Sequence, residues 1–360
     1  MSCGGSVPTT TTDYAALTAP ISRAELRAFK AELKASGRAP GGTTSSTVIG
    51  IVALVVLGTP FLGFAIYWMV SIADDVISSR TSSPLPIVFP IVFFAMATII
   101  LVTSIRTLAG GGGKWRRWYR LDRFARSNRL TFAPLSRDPQ FPGSVFTIGD
   151  TRQAFDHLYR DRGRFLDFGN YRYSTGSGRS RTTSTWGFLA LKLDRALPNI
   201  VLDAKSNNAL FGVTNLPNAL SSSQRLSLEG DFDRHFTLYC PKGYQTDALY
   251  IFTPDLMALL IDQASSFDVE IVDEWMFVYS AKPFTMTDPA TVNHLLRIAD
   301  TVGAKTLRQT ERYSDDRIGN PRANLVAPEG RRLTQAFPVL GTIMFCGLVA
   351  FWIANLMHWI

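Results

Sequence analysis

Three long runs without a formal charge constrain this chain more than any other feature. Residues 48–72 supply 25 such positions, residues 85–105 supply 21, and residues 337–360 supply 24 that reach the end of the sequence. A helix needs about 20 apolar residues to cross about 30 Å of hydrocarbon. Each run meets that length, so the sequence predicts three transmembrane α-helices. Direction follows from Lys and Arg, which are in excess in cytoplasmic loops. Arg23, Arg27, Lys30, Lys34 and Arg38 precede the first run, and Arg80 alone lies between the first two. After the second come Arg106, Lys114, Arg116, Arg117, Arg120, Arg123, Arg126 and Arg129; Arg322, Arg331 and Arg332 precede the third. The expected topology puts the N-terminus and the large domain in the cytoplasm and the C-terminus outside. No acidic or basic residue lies in the interior of the runs, with His358 at the outer edge of the third, which disfavours a transporter or proton pump, since charge must be bound or relayed at depth.

The segments flanking the runs carry their own signals. Residues 1–20 are polar and repetitive at Pro8 to Thr12 and read as disordered. Residues 21–37 read as an amphipathic helix, with Ser22 and Glu25 forming a capping box, Leu26, Phe29 and Leu33 an apolar stripe, and Gly37 a stop. That helix rests either on the soluble domain or on a membrane or partner surface. Residues 110–129 form a glycine hinge and a basic helix. At about 100° per residue, Trp115, Trp118, Tyr119, Leu121 and Ala125 fall on one side and Arg116, Arg117, Arg120 and Arg123 on the other, with Phe124 out of pattern. These four arginines are candidate contacts to anionic lipid headgroups. Equally, the aromatic side is buried in protein as the first helix of the soluble domain.

From 130 to 320 the period becomes strand-like, and few helices intervene. Strands are expected at 164–174, 182–194, 200–204, 225–228, 236–240 and 249–253, and a hairpin joins 269–272 to 276–280 across Asp273 and Glu274. Helices are expected from Pro254 and from Asp288–Pro289. This pattern predicts an α+β domain with a largely antiparallel sheet, returned to the third run by a linker at 321–336.

Within that domain, Glu-Gly-Asp-Phe-Asp-Arg-His-Phe-Thr-Leu-Tyr (229–239), Ala-Leu-Tyr-Ile-Phe-Thr-Pro-Asp-Leu-Met (248–257), Val-Glu-Ile and Met-Phe-Val-Tyr resemble an uncharacterised family of bacterial, actinobacterial-type membrane proteins. Its members have paired N-terminal transmembrane helices and a cytoplasmic α+β domain. The resemblance implies a bacterial cytoplasmic membrane as the location and assigns no chemistry.

General motifs are missing. Cys3, Cys240 and Cys346 are unpaired in spacing, and His157, His235, His294 and His358 are scattered without HExxH. The histidines read as structural. Glu229, Asp231 and Asp233 lack the rest of a calcium loop. Gly176 to Arg181 could cradle a phosphate but sits between two strands, where a hairpin loop is expected. The net charge of +8, with 29 Arg against 8 Lys, favours anionic surfaces, and no nucleic-acid partner or cofactor is expected. The sequence thus predicts a membrane-anchored binding or scaffolding module that recognises a protein partner or anionic lipid. The alternatives are an accessory subunit of a larger membrane complex, or an enzyme whose site general motifs do not reveal.

Overall fold

The computed structural model describes residues 12–39, 63, 67, 113–208, 214–217, 220–228, 230–320 and 323–335. Its contacts divide the chain into one unit of residues 1–19 and 120–360 and another of residues 20–119. The three-span expectation is corrected: among the described residues no helix is long and apolar enough to cross a membrane. The runs at 48–72, 85–105 and 337–360 lie outside the described residues, apart from Gly63 and Tyr67. The longest described helices, α1 (Arg23–Ala35) and α2 (113–127), would extend only about 20 and 22 Å, and both carry charge along their length. The multi-pass placement in a bacterial cytoplasmic membrane is corrected with it.

The larger unit is built on a seven-stranded antiparallel sheet, as the α+β pattern predicts. Its strands are β1 (Thr131–Arg137), β2 (Asp150–Arg160), β3 (Leu166–Thr175), β4 (Thr182–Ala204), β5 (Arg225–Leu226), β6 (Phe236–Tyr239) and β7 (Asp268–Ser280). The order is β1-β2-β3-β4-β6-β5, with β7 on the free side of β4. β4 is the spine. Its first half pairs with β3 and its end with β6, while β7 follows it along the opposite edge.

Three strand expectations change. The stretches 182–194 and 200–204 are one strand, β4. The proposed hairpin at Asp273 is one continuous strand, since both halves pair with β4. Asp273 reaches φ 53°, and the pairing with β4 shifts register around it, so the chain bulges here instead of reversing. Residues 249–253 belong mainly to a helix, α3 (Gln245–Ile251), which buries Ala248 and Ile251 and leaves Leu249 and Tyr250 exposed. A three-residue spacing of buried positions is helical.

The expected helices α4 (Pro254–Ala264) and α5 (Pro289–Ile298) form where proline opens each first turn. Asp288 caps α5 by accepting from the Thr291 backbone at 3.0 Å. A wide turn at Ala299–Gly303 leads into α6 (Ala304–Thr310), and α4 and α6 touch β7 and β4 respectively.

An aromatic cluster fills the core beneath the β1–β2 loop. Val145 and Phe146 from that loop join Tyr171, Trp186, Phe188, Phe277 and Tyr279. Phe146 lies 4.6 Å from Tyr171 and 5.3 Å from Phe188 between ring centroids, distances at which ring edges and faces attract. Gly143 lets the loop lie this close, because a Cβ there would come 2.1 Å from the Tyr279 hydroxyl.

Candidate functional site

The predicted basic site begins with α1 in the unit of residues 20–119. The capping box forms as the sequence implies: Ser22 Oγ accepts from the Glu25 backbone at 3.2 Å, and Glu25 accepts from the Ser22 backbone at 3.0 Å. Gly37 ends the helix at φ +66°, a conformation that costs glycine nothing. Phe29 and Leu33 are buried. The Phe29 ring meets Tyr119 edge-on at 5.5 Å, and Lys30 lies 5.3 Å over Trp115. The apolar stripe of α1 is therefore occupied by protein.

Arg23, Arg27, Lys30 and Lys34 recur at i, i+4, i+7 and i+11, so they form one stripe of the helix. Arg23, Arg27 and Lys34 are exposed, as are Arg116 and Arg117 at the start of α2. The described residues of this unit carry eight basic side chains and two acidic ones, Glu25 and Glu32. Glu25 is already engaged in the cap. Such an imbalance creates a positive field that falls away over about 8 Å at physiological salt.

Arg120 and Arg123 belong to the larger unit. Arg123 is exposed, whereas Arg120 is half-buried and its Nε has no hydrogen-bond partner. On the aromatic side of α2, Trp118 in the smaller unit and Leu121 and Ala125 in the larger are buried, as is Phe124, while Trp115 and Tyr119 are half-buried. Phe124, out of pattern in the sequence, stacks on Tyr14 at 5.8 Å. Residues 12–20, expected to be disordered, are instead an ordered segment clasped by Asn128, which accepts from the Asp13 backbone at 2.8 Å and donates to it at 2.9 Å.

The remaining candidates resolve into structural roles. Gly176 to Arg181 is the β3–β4 hairpin loop. Asp233 accepts from Ser227 and from the Leu228 backbone, which makes the 231–233 stretch a hydrogen-bonded turn; Glu229 lies outside the described residues. Cys240 is buried, and burial pushes its thiol up to about 11; Cys3, Cys346 and His358 lie outside the described residues. His294 bonds the Gln263 carbonyl at 2.7 Å. His157 is different, because it bonds both Ser136 and Asp167 at 2.8 Å. No group of three or more metal-ligating side chains is placed to hold an ion among the described residues.

Sequence reasoning also missed two buried carboxyls. Glu270 borders a cavity of about 180 Å³ with Ser144, Asn199, Val201, Leu216 and Leu333. Its oxygens accept from Ser144, Tyr279 and Asn199, and burial pushes the carboxyl up. Asn199 in turn accepts from the Leu333 backbone at 3.0 Å. This network stitches the β1–β2 loop and the 323–335 segment to the sheet. Asp268, fully enclosed, accepts from the Ala204 backbone at 2.8 Å, while its Oδ2 is without a partner. No local motif marks either residue.

No protein family and no curated relative matches the chain. Among solved structures, the mycobacterial trehalose monomycolate transport factor A, TtfA, aligns at 14% identity over 58% of this chain and 98% of that one, with a TM-score of 0.35. A likeness at that level carries no argument about fold or function.

Proposed function

We propose that the chain is a binding module that attaches to anionic phospholipid headgroups through the cationic surface of α1 and the start of α2. The observation that carries this reading is the charge ratio there, eight basic residues to two acidic. Phe29, Leu33 and Trp118 beneath that surface are buried in protein and Leu26, Trp115 and Tyr119 are half-buried, so the attachment proposed is chiefly electrostatic. A Lys or Arg near an anionic membrane surface is worth about 1 kcal/mol, and the six exposed ones suffice for reversible binding. The α+β domain is then tethered to the membrane as the part available to a partner.

Flotation of the full chain with vesicles tests this. Binding to vesicles containing phosphatidylglycerol, and its decline as salt is raised, are the expected results. Equal binding to purely zwitterionic vesicles would overturn it.

A further inference from the structure

We propose that Ser136 is a nucleophile activated by His157 and Asp167. The three residues stand on adjacent strands: Ser136 on the edge strand β1, His157 on β2 and Asp167 on β3. Ser136 Oγ lies 2.8 Å from His157 Nε2, and His157 Nδ1 lies 2.8 Å from Asp167 Oδ1. A carboxylate only accepts hydrogen bonds, so Nδ1 carries the proton and donates it to Asp167. In the neutral ring Nε2 is then the acceptor, and the Ser136 hydroxyl donates to it. This is the arrangement of nucleophile, base and orienting acid that recurs on unrelated folds and is recognised by geometry and roles.

The backbone is built around this contact. Ser136 pairs directly with Ala154, and side chains alternate along a strand, so residue 157 of a regular β2 would point to the other face. The β1–β2 pairing keeps one register, but the β2–β3 pairing shifts between Phe155 and Leu158, giving β2 one extra residue there, and Asp156 takes up the bend at φ +50°. A left-handed non-glycine residue costs about 1 kcal/mol or more. Bulges of this kind re-aim a side chain, and here the side chain re-aimed is His157. Opposite it β3 has Gly169, where a Cβ would sit 2.5 Å from the His157 Cα. The imidazole is further fixed between Tyr159 at 5.9 Å and Phe188 at 6.4 Å. His157 and Asp167 are 4% and 5% exposed, while Ser136 is only half-buried. The cluster therefore meets solvent at its nucleophile.

The chemistry that this order supports is acyl transfer from a carboxylic ester. Ser136 Oγ attacks the acyl carbon as its proton passes to Nε2, and Asp167 stabilises the imidazolium that forms. Collapse of the tetrahedral intermediate breaks the bond to the alcohol, which takes the proton from Nε2. An acyl-serine remains, and a water deprotonated by the same imidazole hydrolyses it. No oxidant or metal is needed.

The full chain, treated with a fluorophosphonate probe and with p-nitrophenyl acetate, should be modified at Ser136 as located by peptide mass spectrometry. General-base assistance contributes about 10²–10⁴-fold, so Ser136 should react faster than the exposed Ser223 by a factor in that range. Ser136→Ala should abolish the modification while the chain still unfolds cooperatively, and His157→Gln should slow it by at least about 10²-fold. Reaction of Ser136 in the folded wild-type chain no faster than that of Ser223 would overturn the assignment, whatever the variants do.

Discussion

The Glu270 carboxyl on β7 accepts both hydrogen bonds that Ser144 has to give, from its backbone N–H at 2.8 Å and from its hydroxyl at 2.9 Å. The same oxygen accepts from Tyr279 at 3.0 Å. One enclosed side chain thus fixes the loop that roofs the aromatic cluster. Glu270→Ala would leave several buried donors without partners, each costing about 1–3 kcal/mol. Urea unfolding should show a loss of about 2–4 kcal/mol, and Glu270→Gln, which keeps one acceptor oxygen, should lose less.

Phe146 is the apolar counterpart of that anchor. It is 1% exposed and meets Phe141, Tyr171, Phe188, Phe277 and Tyr279. Phe146→Ala should cost about 3–5 kcal/mol by denaturant unfolding, a large part of a domain's stability. The amides of residues 143–148 should lose hydrogen-exchange protection first.

Asp268 makes stability depend on pH. Burial, the largest influence, pushes its carboxyl up to about 7 from 3.8; the Ala204 hydrogen bond opposes this, and the Asp203 charge adds to it. At the lowest pH both folded and unfolded states hold the proton, and the stability contribution is complete. As pH rises past 3.8 the unfolded state releases its proton while the folded state keeps it, so stability falls until pH passes about 7. Asp203 and Glu270, both raised by burial, act in the same direction. Chemical denaturation should therefore give a higher stability at about pH 5 than at about pH 8. Asp268→Asn, uncharged throughout, should shrink that difference. An unchanged difference would remove Asp268 as its source.

The sequence displayed some of this architecture and concealed the rest for identifiable reasons. Helix starts are local, so Ser22 with Glu25, Pro254, and Asp288 with Pro289 were legible. β1 and β2 were not, because Pro134 lies in one and the bulge at Asp156 breaks the alternation of the other. β4 reads as two strands because Pro198 interrupts it, and β7 reads as a hairpin because Asp273 and Glu274 look like a turn. The wheel of α2 put Trp118, Leu121 and Ala125 on the side that is buried but misplaced Phe124, which is buried too, and it did not say whether lipid or protein would cover that side. Ser136, His157 and Asp167 are 21 and 10 residues apart in sequence and meet only through strand register. The long apolar runs dominated the reading of architecture, and the described residues supply no spanning helix.

Vesicle binding by a charge-depleted variant tests the central claim most directly. Arg23, Arg27, Arg116 and Arg117 are all exposed, so changing the four to Gln should leave the thermal transition in place. At about 1 kcal/mol for each basic residue, affinity for phosphatidylglycerol vesicles should fall by about 10³-fold. The wild-type chain should show the same loss when salt is raised to about 1 M, where screening acts within about 3 Å. Wild-type affinity in the four-residue variant, measured at low salt by flotation, would contradict the account.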